Sequence, residues 1–127
     1  MKTIINTPLA PAPIGPYSQA VMVGDLLFAS GAIAIDPASG QLITINILQE
    51  TTQVMRNIGE VLKAAGLSYS DIVKTTIFLK DMDQFAAVND VYAQFFQADF
   101  PARETVQVSR LPKDVNVEIS VIAKKTA

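Results

Sequence analysis

The segment Phe100 to Ala123, FPARETVQVSRLPKDVNVEISVIA, constrains the fold more than any other. Val106 and Val108 alternate with Arg103, Thr105, Gln107 and Ser109. Val115, Val117, Ile119 and Val121 alternate with Asn116, Glu118 and Ser120. Alternation of this kind gives a strand one apolar and one polar face. Leu111-Pro112-Lys113-Asp114 has turn chemistry, because Pro presets φ and Asp bonds nearby backbone. The segment therefore reads as a hairpin of two strands. In that hairpin the burial pattern fixes the parity of pairing. Glu118 is then expected on the same face as Arg103 and Thr105, opposite Thr105 or Gln107.

The rest of the chain supplies the frame. Lys2 to Asn6 is a short β-prone run, and Thr7 to Pro16 holds four prolines in an irregular loop. Pro16 restricts Gly15 to extended or turn geometry and so fixes how the Tyr17 ring leaves the loop. Read alone, Tyr17 is a half-buried ring beside a strand. Ser18 to Val23 and Leu26 to Gly31 flank Gly24-Asp25 as a hairpin. Ser30-Gly31 closes its second arm, where a glycine lets backbone approach a ligand closely; read alone it is a strand-end turn. Ala32 to Ile35 can continue as a further strand, and Asp36 to Gly40 is a turn.

Ile47 to Ala65 carries Leu48, Thr51, Met55, Ile58 and Leu62 at helical steps and stops at Gly66. Gly59 inside it marks close packing on a neighbour. Ile72 to Lys80, IVKTTIFLK, is a β-branched central strand. Gln84 to Gln97 is a second helix with Phe85, Val88, Tyr92, Phe95 and Phe96 on its apolar face. Asn89 borders that face, where a side-chain amide needs partners. Two amphipathic helices cover one face of a sheet. The expectation is one two-layer α+β domain spanning 1–127, a mixed sheet with both helices on one side.

Composition bounds the chemistry. Charged residues make up 17% of the chain, below the ~25% of a typical soluble domain. So little charge on a small domain argues for surface hidden between copies. There is no Cys and no His, which excludes thiolate catalysis, disulfides, Ser-His-Asp chemistry in its usual form and His- or Cys-ligated metal. Neither a metal nor a cofactor is expected. The net charge of −2 gives no electrostatic footprint for nucleic acid. No apolar run is long enough for a membrane helix, and the N-terminus lacks the pattern of a signal peptide, so a cytoplasmic protein is expected.

Arg103 offers a rigid fork that matches a carboxylate. Beside Glu118 and a hydroxyl it suggests a small-anion site, although an Arg or a Glu alone on a strand is usually a solvated charge. Several stretches carry a closer likeness. Ile14-Gly15-Pro16-Tyr17, Ala29-Ser30-Gly31, Asp71-Ile72-Val73-Lys74-Thr75-Thr76, Phe100-Pro101-Ala102-Arg103 and Ser109 to Val115 with Glu118-Ile119 follow one another in order. Through them the chain resembles the reactive intermediate deaminase family, its RidA (YjgF) branch in particular. The likeness spans nearly the whole chain.

That resemblance implies a chorismate-mutase-like fold, a homotrimer and sites between chains. It implies hydrolysis of enamines and imines such as 2-aminoacrylate to 2-keto acids and ammonia. Carried onto this chain, Arg103 clamps the substrate carboxylate, and Glu118 activates water and shuttles protons. Tyr17, Ser30, Gly31 and Asn89 line the pocket, and the Thr105 carbonyl fixes the water. One departure stands out: many members have Arg-Ser-Cys where this chain has Arg103-Glu104-Thr105. Two other functions compete. One is a non-catalytic module that binds keto acids through Arg103. The other is the family's older label of translation inhibitor or ribonuclease, against which the acidic balance and missing His weigh.

Overall fold

The computed structural model describes residues 1–126. Its elements are β1 (Lys2–Ile5), β2 (Ala20–Val23), β3 (Leu26–Ala29), α1 (Ile47–Ala64), β4 (Ile72–Leu79), α2 (Phe85–Ala93), β5 (Ala102–Gln107) and β6 (Val117–Lys124). The strands form one six-stranded sheet in the order β1-β2-β3-β6-β4-β5. β4 and β5 run parallel, and the other neighbours are antiparallel. The sheet is mixed, with both helices on one face. The β2–β3 hairpin turns on Gly24 at φ 62°, as its sequence predicts.

The last two strands correct the sequence reading. β5 and β6 do not pair; β4 lies between them. Phe78 stands beside both Val106 and Glu118, and Ile77 beside both Thr105 and Ile119. The expected turn at Leu111–Asp114 is a single 3-10 turn within a wider crossover, with Lys113 and Asp114 at positive φ. Alternation fixes which residues share a face of one strand. It does not say which strand is the neighbour. The apolar run of β4 is the stronger candidate for a central position, because it can be covered on both edges.

Three smaller expectations also shift. Ala32 to Ile35 makes only two isolated bridges, Ala32 with Ile119 and Ile35 with Leu42. The second helix ends at Ala93, and Phe95 and Phe96 pack from the irregular segment that follows it. Leu48 is half-exposed, whereas Glu50, Val54, Asn57 and Val61 are buried. Gly59 does mark close packing: the Tyr69 hydroxyl lies over it and donates to the Met55 carbonyl at 2.7 Å.

α1 starts on Asn46, whose side chain accepts from the Gln49 N–H, and ends at Gly66 with φ 76°. Its buried face carries two polar side chains that hold distant backbone. Asn57 donates to the carbonyls of Ile33 and Ile35 at 3.0 and 2.9 Å. Glu50, fully buried, accepts from the Asn116 and Val117 N–H groups and from the Asn116 amide, at 2.8, 3.2 and 2.7 Å. Each bond satisfies a group that burial would otherwise leave unpaired. Glu50 thereby fixes the start of β6, just before Glu118.

Removing that carboxylate strands three donors. Glu50→Ala is expected to lower the unfolding free energy by about 3 kcal/mol, since each orphaned buried donor costs ~1–3 kcal/mol. Urea denaturation measures it, and a loss below ~1 kcal/mol would show that water replaces the carboxylate.

Candidate active site

The sheet register sorts the proposed site residues by face. Arg103, Thr105 and Gln107 stand beside Thr75, Ile77 and Leu79, all fully buried under the helices. Glu118 and Ser120 stand beside Phe78 and Thr76, on the other face. Arg103 and Glu118 therefore point to opposite sides of the sheet, contrary to the sequence expectation. The error follows directly from the pairing of β5 with β4 rather than β6.

The residues assemble into two groups. In the first, Arg103 projects from the edge strand β5 over α2. One guanidinium nitrogen donates to Asn89 Oδ1 at 2.6 Å. The guanidinium carbon lies 5.5 Å from the Phe85 ring centroid and 5.3 Å from that of Tyr92. Tyr92 is held in turn by a 2.8 Å bond between its hydroxyl and that of Thr75. Two aromatic faces and one amide thus aim the cation. Among the described residues no carboxylate forms a salt bridge with Arg103. Most of its donors face solvent, ready for an anion. Thr105 lies one pleat along, and its buried hydroxyl has no partner among the described residues.

The second group collects Tyr17, Ser30, Gly31 and Glu118 around a cleft of about 300 Å³, with Ile14, Ile33 and Pro112 as apolar walls. The Glu118 carboxyl packs on Gly31, where any side chain would collide with it. Burial raises the Glu118 pKa above the ordinary 4.5. The Ser30 hydroxyl donates to the Ser18 carbonyl at 2.7 Å. The Tyr17 hydroxyl accepts from the Ile14 N–H at 3.2 Å and its ring is half-exposed. Asn89 belongs with Arg103 and not with this cleft.

Sequence reasoning missed the aromatic bracket of Phe85 and Tyr92, which it assigned only to the helix core. It also missed Gln19, which ties the proline-rich loop to β2. The Gln19 amide donates to the Thr7, Ala10 and Pro11 carbonyls, and its oxygen accepts from the Thr7 N–H. Only its place beside four prolines gives a clue, since Pro lacks the donor that would satisfy such carbonyls locally.

The family model described as Endoribonuclease L-PSP matches residues 7–125. A RutC family protein of Pyrococcus horikoshii is 52% identical over 98% of this chain and 99% of its own length. A 2-iminobutanoate/2-iminopropanoate deaminase of Capra hircus is 52% identical over 97% of this chain and 90% of its own. The crystal structure of E. coli TdcF with bound serine matches with a TM-score of 0.94 at 43% identity, covering 98% of this chain and 99% of that one.

The burial of Glu118 has a measurable sign. A carboxyl whose folded pKa is raised binds its proton more tightly folded than unfolded, so ionising it costs stability as pH rises. Glu118→Gln removes that cost. The variant is expected to unfold at higher urea than the parent at about pH 7.5, with the gain fading as pH falls to about 4. A pH-independent difference would place the carboxyl in water.

Proposed function

The chain belongs to the reactive intermediate deaminase family, and we propose that it hydrolyses enamine and imine intermediates such as 2-aminoacrylate to 2-keto acids and ammonia. Relatives named for 2-iminobutanoate/2-iminopropanoate deamination support this over nearly the whole chain. The observation that carries it is a guanidinium, Arg103, bracketed by Phe85, Tyr92 and Asn89 and without a salt-bridge partner among the described residues, in a chain whose Glu118 carboxyl is held by burial above its usual range.

The two groups complete one another only if they come from different chains. Phe28 and Val106 leave apolar surface exposed on the sheet face away from the helices, which also bears Glu118. Packing those faces in a homotrimer buries this surface and sets Arg103 and Asn89 of one chain against Tyr17, Ser30, Gly31 and Glu118 of the next. The site is then an inter-subunit cleft in a cytoplasmic protein.

The reaction needs little machinery. 2-Aminoacrylate gains a proton at its methylene carbon, loses one from nitrogen and becomes its tautomer 2-iminopropanoate. Arg103 holds the carboxylate with two parallel hydrogen bonds, which fixes the imine carbon. Glu118 accepts a proton from water as the water oxygen bonds to that carbon. The same carboxyl returns that proton to nitrogen, giving a carbinolamine; it then takes the hydroxyl proton and passes it to nitrogen as the C–N bond breaks, so that ammonia leaves and the C=O forms. A general base works best with a pKa near the working pH, and burial moves Glu118 in that direction. The imine carbon is already electrophilic, so no covalent nucleophile is required.

Arg103→Ala and Glu118→Gln are each expected to lower turnover of freshly generated 2-aminoacrylate by about a hundredfold or more, in a coupled dehydratase assay. Mixing the two inactive variants by co-refolding tests the shared cleft. Random assembly leaves about one interface in four with both groups intact, so activity returns to roughly a quarter of the parent's. No recovery, with trimers re-formed, would put both groups in one chain's site. Unchanged rates in Arg103→Ala would remove the clamp.

A further inference from the structure

Arg103 is exposed on an edge strand, so nothing in β5 itself fixes where its fork points. A long cationic side chain in such a place has many rotamers open to it. Its direction comes from α2, through Asn89, Phe85 and Tyr92. Phe85 is 37% exposed and Asn89 half-buried, whereas Tyr92 is 4% exposed. Tyr92 is therefore the wall of the bracket least free to move.

The Tyr92 ring is held at both ends. It packs on Phe96 with 4.8 Å between centroids, and its hydroxyl lies 2.8 Å from that of Thr75. Thr75 is fully buried on β4 and stands beside Arg103 in the parallel register of β4 and β5. The hydroxyl pair thus ties α2 to the sheet at the level of the cation. Among the described residues, the only other side-chain hydrogen bond from α2 to a strand is that of Asn89 with Arg103 itself. Thr76 cannot take over, because it stands on the open face beside Glu104 and Ser120. At nine residues, α2 is too short to keep its place by helical structure alone.

Two buried hydroxyls that satisfy each other add little net stability, since water serves both in the unfolded chain. What they add is direction. A hydrogen bond fixes distance and angle, where an apolar contact lets a ring slide and tilt.

We propose that Thr75 is a positioning residue: its hydroxyl holds the Tyr92 ring, and the ring sets the direction in which Arg103 presents its parallel N–H groups to a carboxylate. The inference rests on the deaminase reading above and deepens it. Thr75 itself touches no substrate. A carboxylate gripped askew carries the imine carbon away from Glu118 of the other chain, and a misplacement of about 1 Å slows a reaction of this kind by up to about a hundredfold.

The test separates position from stability. Thr75→Val and Tyr92→Phe each leave one buried hydroxyl unpaired. Each is expected to unfold at lower urea than the parent and to lower kcat/KM for freshly generated 2-aminoacrylate by about tenfold. Thr75→Ser keeps the hydroxyl and is expected to stay within about threefold of the parent. The double variant Thr75→Val/Tyr92→Phe leaves no hydroxyl unpaired. It is expected to recover most of the urea midpoint while kcat/KM stays about tenfold down. It also decides the matter if a single variant does not fold. In an Arg103→Lys background, with no planar fork to aim, the double substitution is expected to change kcat/KM by less than about twofold. A double variant as active as the parent shows the pair to be packing alone and overturns the positioning role. So does a Thr75→Ser as slow as Thr75→Val, or an equal tenfold loss in the Lys background, and each leaves the deaminase reading intact. A parent inert towards 2-aminoacrylate overturns the two together.

Discussion

β4 lies between the last two strands, and the geometry of the site follows from that one placement. A strand with a parallel neighbour on one edge and an antiparallel neighbour on the other carries their registers in common. Through it, odd-numbered residues of β5 fall under the helices while Glu118 falls on the open face. The crossover from β5 to β6 must pass over β4, which explains its length and its two residues at positive φ. The same placement divides the polar groups between two sides of the sheet.

α1 makes the division rigid. An amphipathic helix ordinarily contributes apolar contacts, but Glu50 and Asn57 reach from its buried face to the backbone of two segments remote in sequence. One precedes Glu118; the other follows Gly31. The cleft between those segments is therefore set by hydrogen bonds as well as by packing. Such bonds are directional and hold position more sharply than apolar contact does. For chemistry that depends on positioning, with neither His nor Cys in the chain, that rigidity matters more than reactivity does.

Much of this was legible in the sequence. The β2–β3 hairpin, both helices, the central strand and the tight packing at Gly59 follow from local chemistry and periodicity. Parity within each strand was also correct. The partnership of β5 was not legible, because a period of two describes one strand and says nothing of its neighbour. Glu50 was missed because a carboxylate on a helix is nearly always a solvated one. The site residues were named through resemblance, which supplies identity without placement. Arg103 and Glu118 were expected on one face, and the register sets them on opposite faces. Asn89 was the reverse case: its position at the border of a buried face demanded a partner, and Arg103 is that partner.

Arg103 and Glu104 stand on β5, one of the two edge strands of the sheet. An outer strand offers unpaired backbone to any passing chain, and proteins guard such edges with charge. Here the guard is Arg103 together with Glu104, itself paired with Lys74 at 2.8 Å. Charge at these two positions disfavours ladder growth along β5. The cation proposed to grip a ligand thus also guards a sheet edge, so a chain that lost Arg103 would lose part of that guard with it.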